Sequence, residues 1–324
     1  MKRREFITLL GGAATLWPIH AAAQPPGGVL IGLLSGVQLD DRQLGAFRQG
    51  LKEVGYIEGR GIAIKYLSAG GRVDRLPALA SELVNDPVAV ILAIAPPAAL
   101  AAKMATASIP IVFAIGADPV GLGLVSSFNR PGDNITGVTF LTNTLGAKRL
   151  ELLRELVPSA SAIGLLVNPT NPTSGTQISD AQAAAAALGL RVTVLSASGE
   201  SDIEAAFVSF VQQRVNAVVV GADAFFWARR DQFVRLAARH AMPATYHLRE
   251  FVAAGGLMSY GTNIADAFRL AAVYAGRILK GEKPADLPVM QATKFELVIN
   301  LKTAKALDLR VPQTMQVAAD DVIE

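Results

Sequence analysis

Residues 88–115 read VAVILAIAPPAALAAKMATASIPIVFAI, and their pattern decides the architecture. The run 88–94 is continuously apolar, too short for a helix and rich in branched side chains, which is the composition of a strand buried on both faces. Pro96 and Pro97 follow at once, and proline is tolerated in the first turn of a helix, so a helix over 98–105 is predicted. A second apolar run, 109–115, then reads as the next strand. Strand, helix and strand in close succession form a parallel pair with a crossover.

The same rhythm extends in both directions. Upstream, strands are predicted at 29–34 and 62–66. Leu44, Phe47, Leu51 and Val54 mark one intervening helix that Gly55 closes, and Leu76, Leu79 and Leu83 mark another. Downstream, after an amphipathic helix at 145–157, a second series places strands at 162–167, 191–195, 217–220, 244–246 and 257–260. Helices fall between them near 180–188, 203–213 and 229–240. The prediction is α/β: two doubly wound parallel-sheet lobes.

Composition narrows the chemistry. The chain has 324 residues, 51% of them hydrophobic and 18% charged. That balance excludes a disordered chain and suits two domains of ordinary size. It has no cysteine, so cysteine nucleophiles, thiolate metal sites, iron–sulfur clusters and lipid attachment through cysteine are excluded. His240 and His247 have no companion at metal-ligand spacing, and no metal or cofactor is expected.

Residues 1–23 carry Lys2, Arg3 and Arg4, a short apolar stretch and Ala21-Ala22-Ala23, the features of an export signal, with Arg3-Arg4 as in the twin-arginine type. Cleavage after Ala23 would leave a formal charge of +1, so nucleic acid is not an expected partner. A periplasmic monomer, not a lipoprotein, is expected.

Ligands of doubly wound sheets lie beyond the carboxyl ends of the strands, and between the lobes when there are two. That rule selects Ser35, Gly36 and Gln38, then Ala95 and Pro96, then Asp118, in the first half. In the second half it selects Asn168 and Asn171, then Asp223 and Phe225, then Tyr246. Asp223 is suited either to meet a ligand ammonium or hydroxyl or to cap the helix that follows it. Phe225 and Tyr246 can stack on a ligand or pack in the wall, and Asn171 competes between ligand and turn chemistry. Asp118 before Pro119 has the character of a turn former. No catalytic residue is expected: Gly-x-Ser-x-Gly, phosphate-loop and His-Glu-x-x-His motifs are all missing, which leaves an exported hydrolase as the weakest alternative.

Several segments in order resemble the substrate-binding proteins of ABC transporters in the tryptophan-binding-protein-like family. They are EVGYIEGRGIAIKY (53–66), DRLPALASELV (74–84), PPAALAAK (96–103), IPIVFAIGADPVGLGLVSSFNRPGDNITG (109–137), KRLELLRELVP (148–158), REFVAAGGLMSYG (249–261) and ATKFELVINLKTAKAL (292–307). The resemblance implies a type I periplasmic binding fold in which a three-segment hinge joins the lobes, with crossings near 139–143, 260–263 and 287–291. The lobes would be 28–140 plus 262–289 and 143–259 plus 293–324.

It further implies capture of a small organic ligand, an aromatic or branched amino acid or a related acid, for an ABC permease in the inner membrane. A ligand-sensing module for a membrane receptor shares the fold and stays open as an alternative. Relatives commonly carry Gly-Thr or Gly-Ser before the proline that follows the third strand. Here Ala95-Pro96-Pro97 stands instead, and Pro96 supplies neither hydroxyl nor amide hydrogen to a ligand carboxylate. Ser35 or nearby backbone amides would then have to serve.

Overall fold

A computed structural model describes residues 28–140 and 142–324; the export-signal expectation lies outside the described residues. In chain order the first lobe runs β1 (Val29–Ser35), α1 (Asp41–Glu53), β2 (Ile57–Glu58), β3 (Gly61–Ser68), α2 (Leu76–Asn85), β4 (Val88–Ile94), α3 (Pro96–Ala105), β5 (Ile111–Ile115) and β6 (Ile135–Thr139). The second runs α4 (Gly146–Leu156), β7 (Ala162–Val167), α5 (Ser174–Ala187), β8 (Arg191–Ser196), α6 (Glu200–Gln212), β9 (Ala217–Val220), α7 (Ala224–Ala228), α8 (Arg230–Arg239), β10 (Ala244–Tyr246), α9 (Arg249–Ala253) and β11 (Met258–Thr262). The chain then returns through α10 (Ile264–Leu279) and β12 (Met290–Gln291) to the first sheet. It ends in the second with β13 (Phe295–Asn300), α11 (Leu301–Ala306), α12 (Gln313–Ala318) and β14 (Asp321–Ile323).

The sheet orders are β12-β6-β5-β4-β1-β3-β2 and β14-β13-β11-β10-β9-β7-β8. In each, the strand order reverses beside the first long strand: between β1 and β4 in one lobe, and between β7 and β9 in the other. Diverging loops leave a crevice at such a point. The pairings of the first sheet are parallel, and apolar side chains cover both of its faces. Val90, Leu92 and Ile94 pack toward α1 and α10, whereas Ile91 and Ala93 pack toward α2 and α3. This two-sided burial explains the unbroken apolar run of β4.

Two strands depart from the expectation. Residues 135–139, not predicted as a strand, form β6, where a Cβ on Gly137 would collide with the backbone of Phe113, so only glycine admits so close a neighbour. Also, β13 is antiparallel to β11, with Thr262 opposite Phe295, so the second sheet is only mostly parallel. The reason is connectivity: the chain leaves the second lobe at the end of β11 and re-enters beside the point of exit, running back.

The segments that pass between the lobes are bonded to one another. Thr262 Oγ1 donates to the Phe140 carbonyl at 2.9 Å, and the Ala292 amide donates to the Thr139 carbonyl at 2.8 Å. Arg149 on α4 donates from Nη1 to the carbonyls of Thr142 at 3.0 Å and Tyr260 at 3.4 Å, tying the first crossing to the second.

Candidate functional site

The two crevices face each other. A Cβ placed on Gly36, after β1, would stand 3.5 Å from the Cβ of Ala224 in the opposite lobe and 3.9 Å from that of Ala95. Beside this contact lies a small, partly open cavity. The first lobe walls it with Ile94, Ala95, Pro96, Pro97 and Phe140, and α10 adds Ile264 and Phe268. The second lobe contributes Asn171, Asp223, Trp227, His247 and Leu248, and Thr142 sits where the lobes join. An apolar box with a few convergent polar groups is the usual form of a small-molecule site.

Asp223 is the charged group of that wall. As N-cap of α7 it accepts from the Phe226 amide at 3.0 Å through Oδ1. Asn168 Nδ2 donates to the same oxygen at 3.1 Å, and Asn171 Nδ2 donates to Oδ2 at 2.9 Å. Burial pushes the carboxyl above its usual range, and these donors pull the other way. Gln177 supports the loop, accepting from the Ala222 amide at 2.7 Å and donating to its carbonyl at 3.0 Å. Two lone pairs of Oδ1 are engaged but only one of Oδ2, which leaves an acceptor for a ligand donor.

The first-lobe edge is built differently. Ala95 caps α3 with φ 78° and ψ 152°. Glycine enters that region freely and alanine only under strain. The Ala95 carbonyl accepts from the Ala99 amide at 3.1 Å. Pro96 and Pro97 occupy the first helical positions, so of the first three helical residues only Ala98 has an amide hydrogen.

Of the residues selected from sequence, Ala95, Pro96, Asn171 and Asp223 line the cavity, and Gly36 lies at the lobe contact beside it. Asn168 reaches the site through its bond to Asp223. The rest lie elsewhere. Ser35 is buried outside the cavity lining, with Oγ accepting from the Val37 amide at 3.2 Å, so it shapes the turn after β1. Gln38 is exposed, and Asp118 is an exposed turn former whose Oδ1 accepts from the Val120 amide at 3.0 Å. Phe225 points to the far side of the lobe contact, packing near Gly71 under the Arg229 guanidinium. Tyr246 is fully buried on the other face of its sheet, stacked on Phe251 with ring centroids 4.6 Å apart. Strand alternation is the cause: Tyr246 and His247 face opposite ways, and His247 takes the cavity.

Sequence reasoning missed Thr142, Trp227 and the pair Ile264 and Phe268. The four-residue spacing of that pair, one face of a helix, was the available signal. Among the described residues no group of three or more His, Cys, Asp or Glu gathers as a metal site, and no helix is long and apolar enough to cross a membrane.

Two mostly parallel sheets whose crevices oppose each other across a small apolar cavity define a bilobed α/β binding protein of the type I periplasmic binding fold. The chain belongs to the ABC transporter substrate binding protein family, whose model matches residues 30–323. It is 29% identical over 270 residues, 83% of this chain and 77% of the relative, to a protein of Clostridioides difficile named tyrosine-binding protein. A solved ABC domain of Streptococcus pneumoniae in complex with L-Trp is 27% identical with a TM-score of 0.84, over 91% of this chain and 100% of that one. A conserved domain protein of Vibrio cholerae is 27% identical with a TM-score of 0.83, over 91% and 99% of the two chains. A 5-methylthioribose transporter binding protein of Thermotoga lettingae, 16% identical over 90% and 96% of the two chains with a TM-score of 0.59, shares the fold.

Proposed function

We propose that this chain is a periplasmic solute-binding protein that captures an amino acid with an aromatic or branched apolar side chain and delivers it to an ABC importer. The observation that carries this reading is Asp223: a carboxylate held by two asparagine amides at one polar end of a largely apolar box. A ligand ammonium would use the open acceptor on Oδ2, and the ligand's side chain would lie among Trp227, Phe140 and Phe268. The tyrosine-binding protein of C. difficile and the L-Trp complex of the S. pneumoniae relative support the ligand class.

In this reading residues 1–23 are an export signal. The lobes are 28–140 plus 262–289 and 143–259 plus 293–324, and they close as a hinged pair around the ligand. The protein acts as a monomer, without catalysis, cofactor or nucleic acid, and its partner is an inner-membrane permease. Native mass spectrometry of the protein purified from its own host, with release of the bound molecule, tests the assignment. A stoichiometric aromatic or branched amino acid is the expected result. Turnover of the released molecule by the protein, or a sugar in its place, would defeat it.

A further inference from the structure

An amino acid carries a carboxylate as well as an ammonium, and the edge formed by α3 is poorly equipped for it. Pro96 and Pro97 have no amide hydrogen, the Ala99 amide is spent on the Ala95 carbonyl, and Ala98 offers one donor where a carboxylate needs two. Ser35 does not line the cavity.

Unspent donors lie at another corner of the same cavity. Thr142 Oγ1 is buried without a hydrogen-bond partner, and His247 Nδ1 is too; both residues line the cavity. Arg149 stands behind them, 1% exposed. Its Nη1 holds the Thr142 carbonyl, its Nε has no partner, and it takes part in none of the ion pairs among the described residues. A buried cation without a counter-ion and buried hydroxyl and imidazole groups without partners are each costly, and here they are neighbours. Burial pulls Arg149 down to about 10, which leaves it charged at neutral pH. Burial, with the charge of Arg149, pulls His247 down to about 3, so its imidazole is neutral and has one N–H to donate.

We infer that the ligand's carboxylate is held by Thr142 and His247, with Arg149 as its buried counter-charge, and not by the N-terminus of α3. This rests on the proposed amino-acid reading and deepens it: the ligand spans from Asp223 in the second lobe to the junction of the lobes. Its anionic end then bears on Thr142, whose carbonyl Arg149 ties to Tyr260, so the carboxylate meets the crossing segments directly.

The test separates the anion site from the ligand's identity. The histidine rings are labelled with ¹⁵N, His247 is assigned with His247→Gln, and the protein is titrated with sodium acetate against sodium chloride and acetamide. A saturable shift of the His247 ring with acetate alone is expected, weakened about tenfold or more in Thr142→Val, as for loss of a hydrogen bond to a charged group. No acetate shift at His247, or the same shift in Thr142→Val, overturns the proposal whatever larger ligands do.

Calorimetry with L-phenylalanine, 3-phenylpropionate and phenethylamine is the second arm. Thr142→Val is expected to weaken the two carboxylates about tenfold and to leave the amine unchanged. An equal loss for phenethylamine overturns the carboxylate role. If none of the three binds while acetate still moves His247, the aromatic amino-acid reading fails and the anion site stands.

Discussion

Asn171 Nδ2 donates to Asp223 Oδ2 at 2.9 Å, joining the loops after β7 and β9 at the point where the strand order of the second sheet reverses. The bond fixes the carboxylate rotamer in the cavity wall while the other oxygen caps α7. One side chain thus serves the fold and the site together, and a substitution must be chosen to separate the two.

Asp223→Asn retains a capping oxygen, since asparagine is as good an N-cap as aspartate. It is expected to weaken an ammonium-bearing ligand about tenfold or more while unfolding stability falls by about 1 kcal/mol. Asp223→Ala also leaves the Asn168 amide without its acceptor and the Asn171 amide with the Ala222 carbonyl alone, and its loss is expected nearer about 3 kcal/mol. Calorimetry and urea unfolding read the two effects apart; equal stability of both variants would show that the cap and the Asn168 bond contribute nothing.

Ala95→Gly is expected to stabilise the protein. The strain of a positive φ at Ala95 disappears with the Cβ. Against it stands a smaller entropic cost in the unfolded chain, for a net gain of about 1 kcal/mol. The check is a higher denaturation midpoint at unchanged slope.

Two other glycines predict opposite signs. A Cβ on Gly261 would collide with the His247 carbonyl, so Gly261→Ala is expected to cost about 3 kcal/mol or more and to disturb the site. Gly45 is exposed within α1 and has nothing near its missing Cβ, so Gly45→Ala is expected to gain about 0.5–1 kcal/mol. Thermal melts of the pair check both.

His247 makes stability pH-dependent with a definite sign. Its folded value of about 3 lies below the ordinary 6.5, so between them the unfolded chain binds the extra proton. Stability from this group is complete above the unfolded value and falls as the pH drops through that window, by at most about 1.4 kcal/mol per pH unit. Asp223 and Glu250, both raised by burial, act in the opposite sense: protonation of the folded carboxyls favours the fold as the pH falls. The isolating measurement is the difference between wild type and His247→Gln across mildly acidic pH. Wild type should lose more stability on acidification, and parallel curves would refute the assignment.

Much of the architecture is written locally. Continuous apolar runs such as 88–94 can be satisfied only by strands covered on both faces, so their alternation with helical stripes determined two parallel-sheet lobes. The strand-end rule, which needs only strand order and polarity, led to Ala95, Pro96, Asn171 and Asp223, and these line the cavity.

What the tertiary structure alone decided is direction and partnership. Residues 135–139 are a strand because β5 offers them an edge, and β13 runs antiparallel because the chain re-enters beside its exit. Tyr246 turns into the core and His247 into the cavity by a phase difference of one residue, which a three-residue strand is too short to display in its composition. Thr142 and Arg149 look like an ordinary loop residue and an ordinary helix cation until folding buries both beside His247 without a carboxylate. Hydrogen-bond satisfaction depends on neighbours distant in sequence, and no local pattern records it.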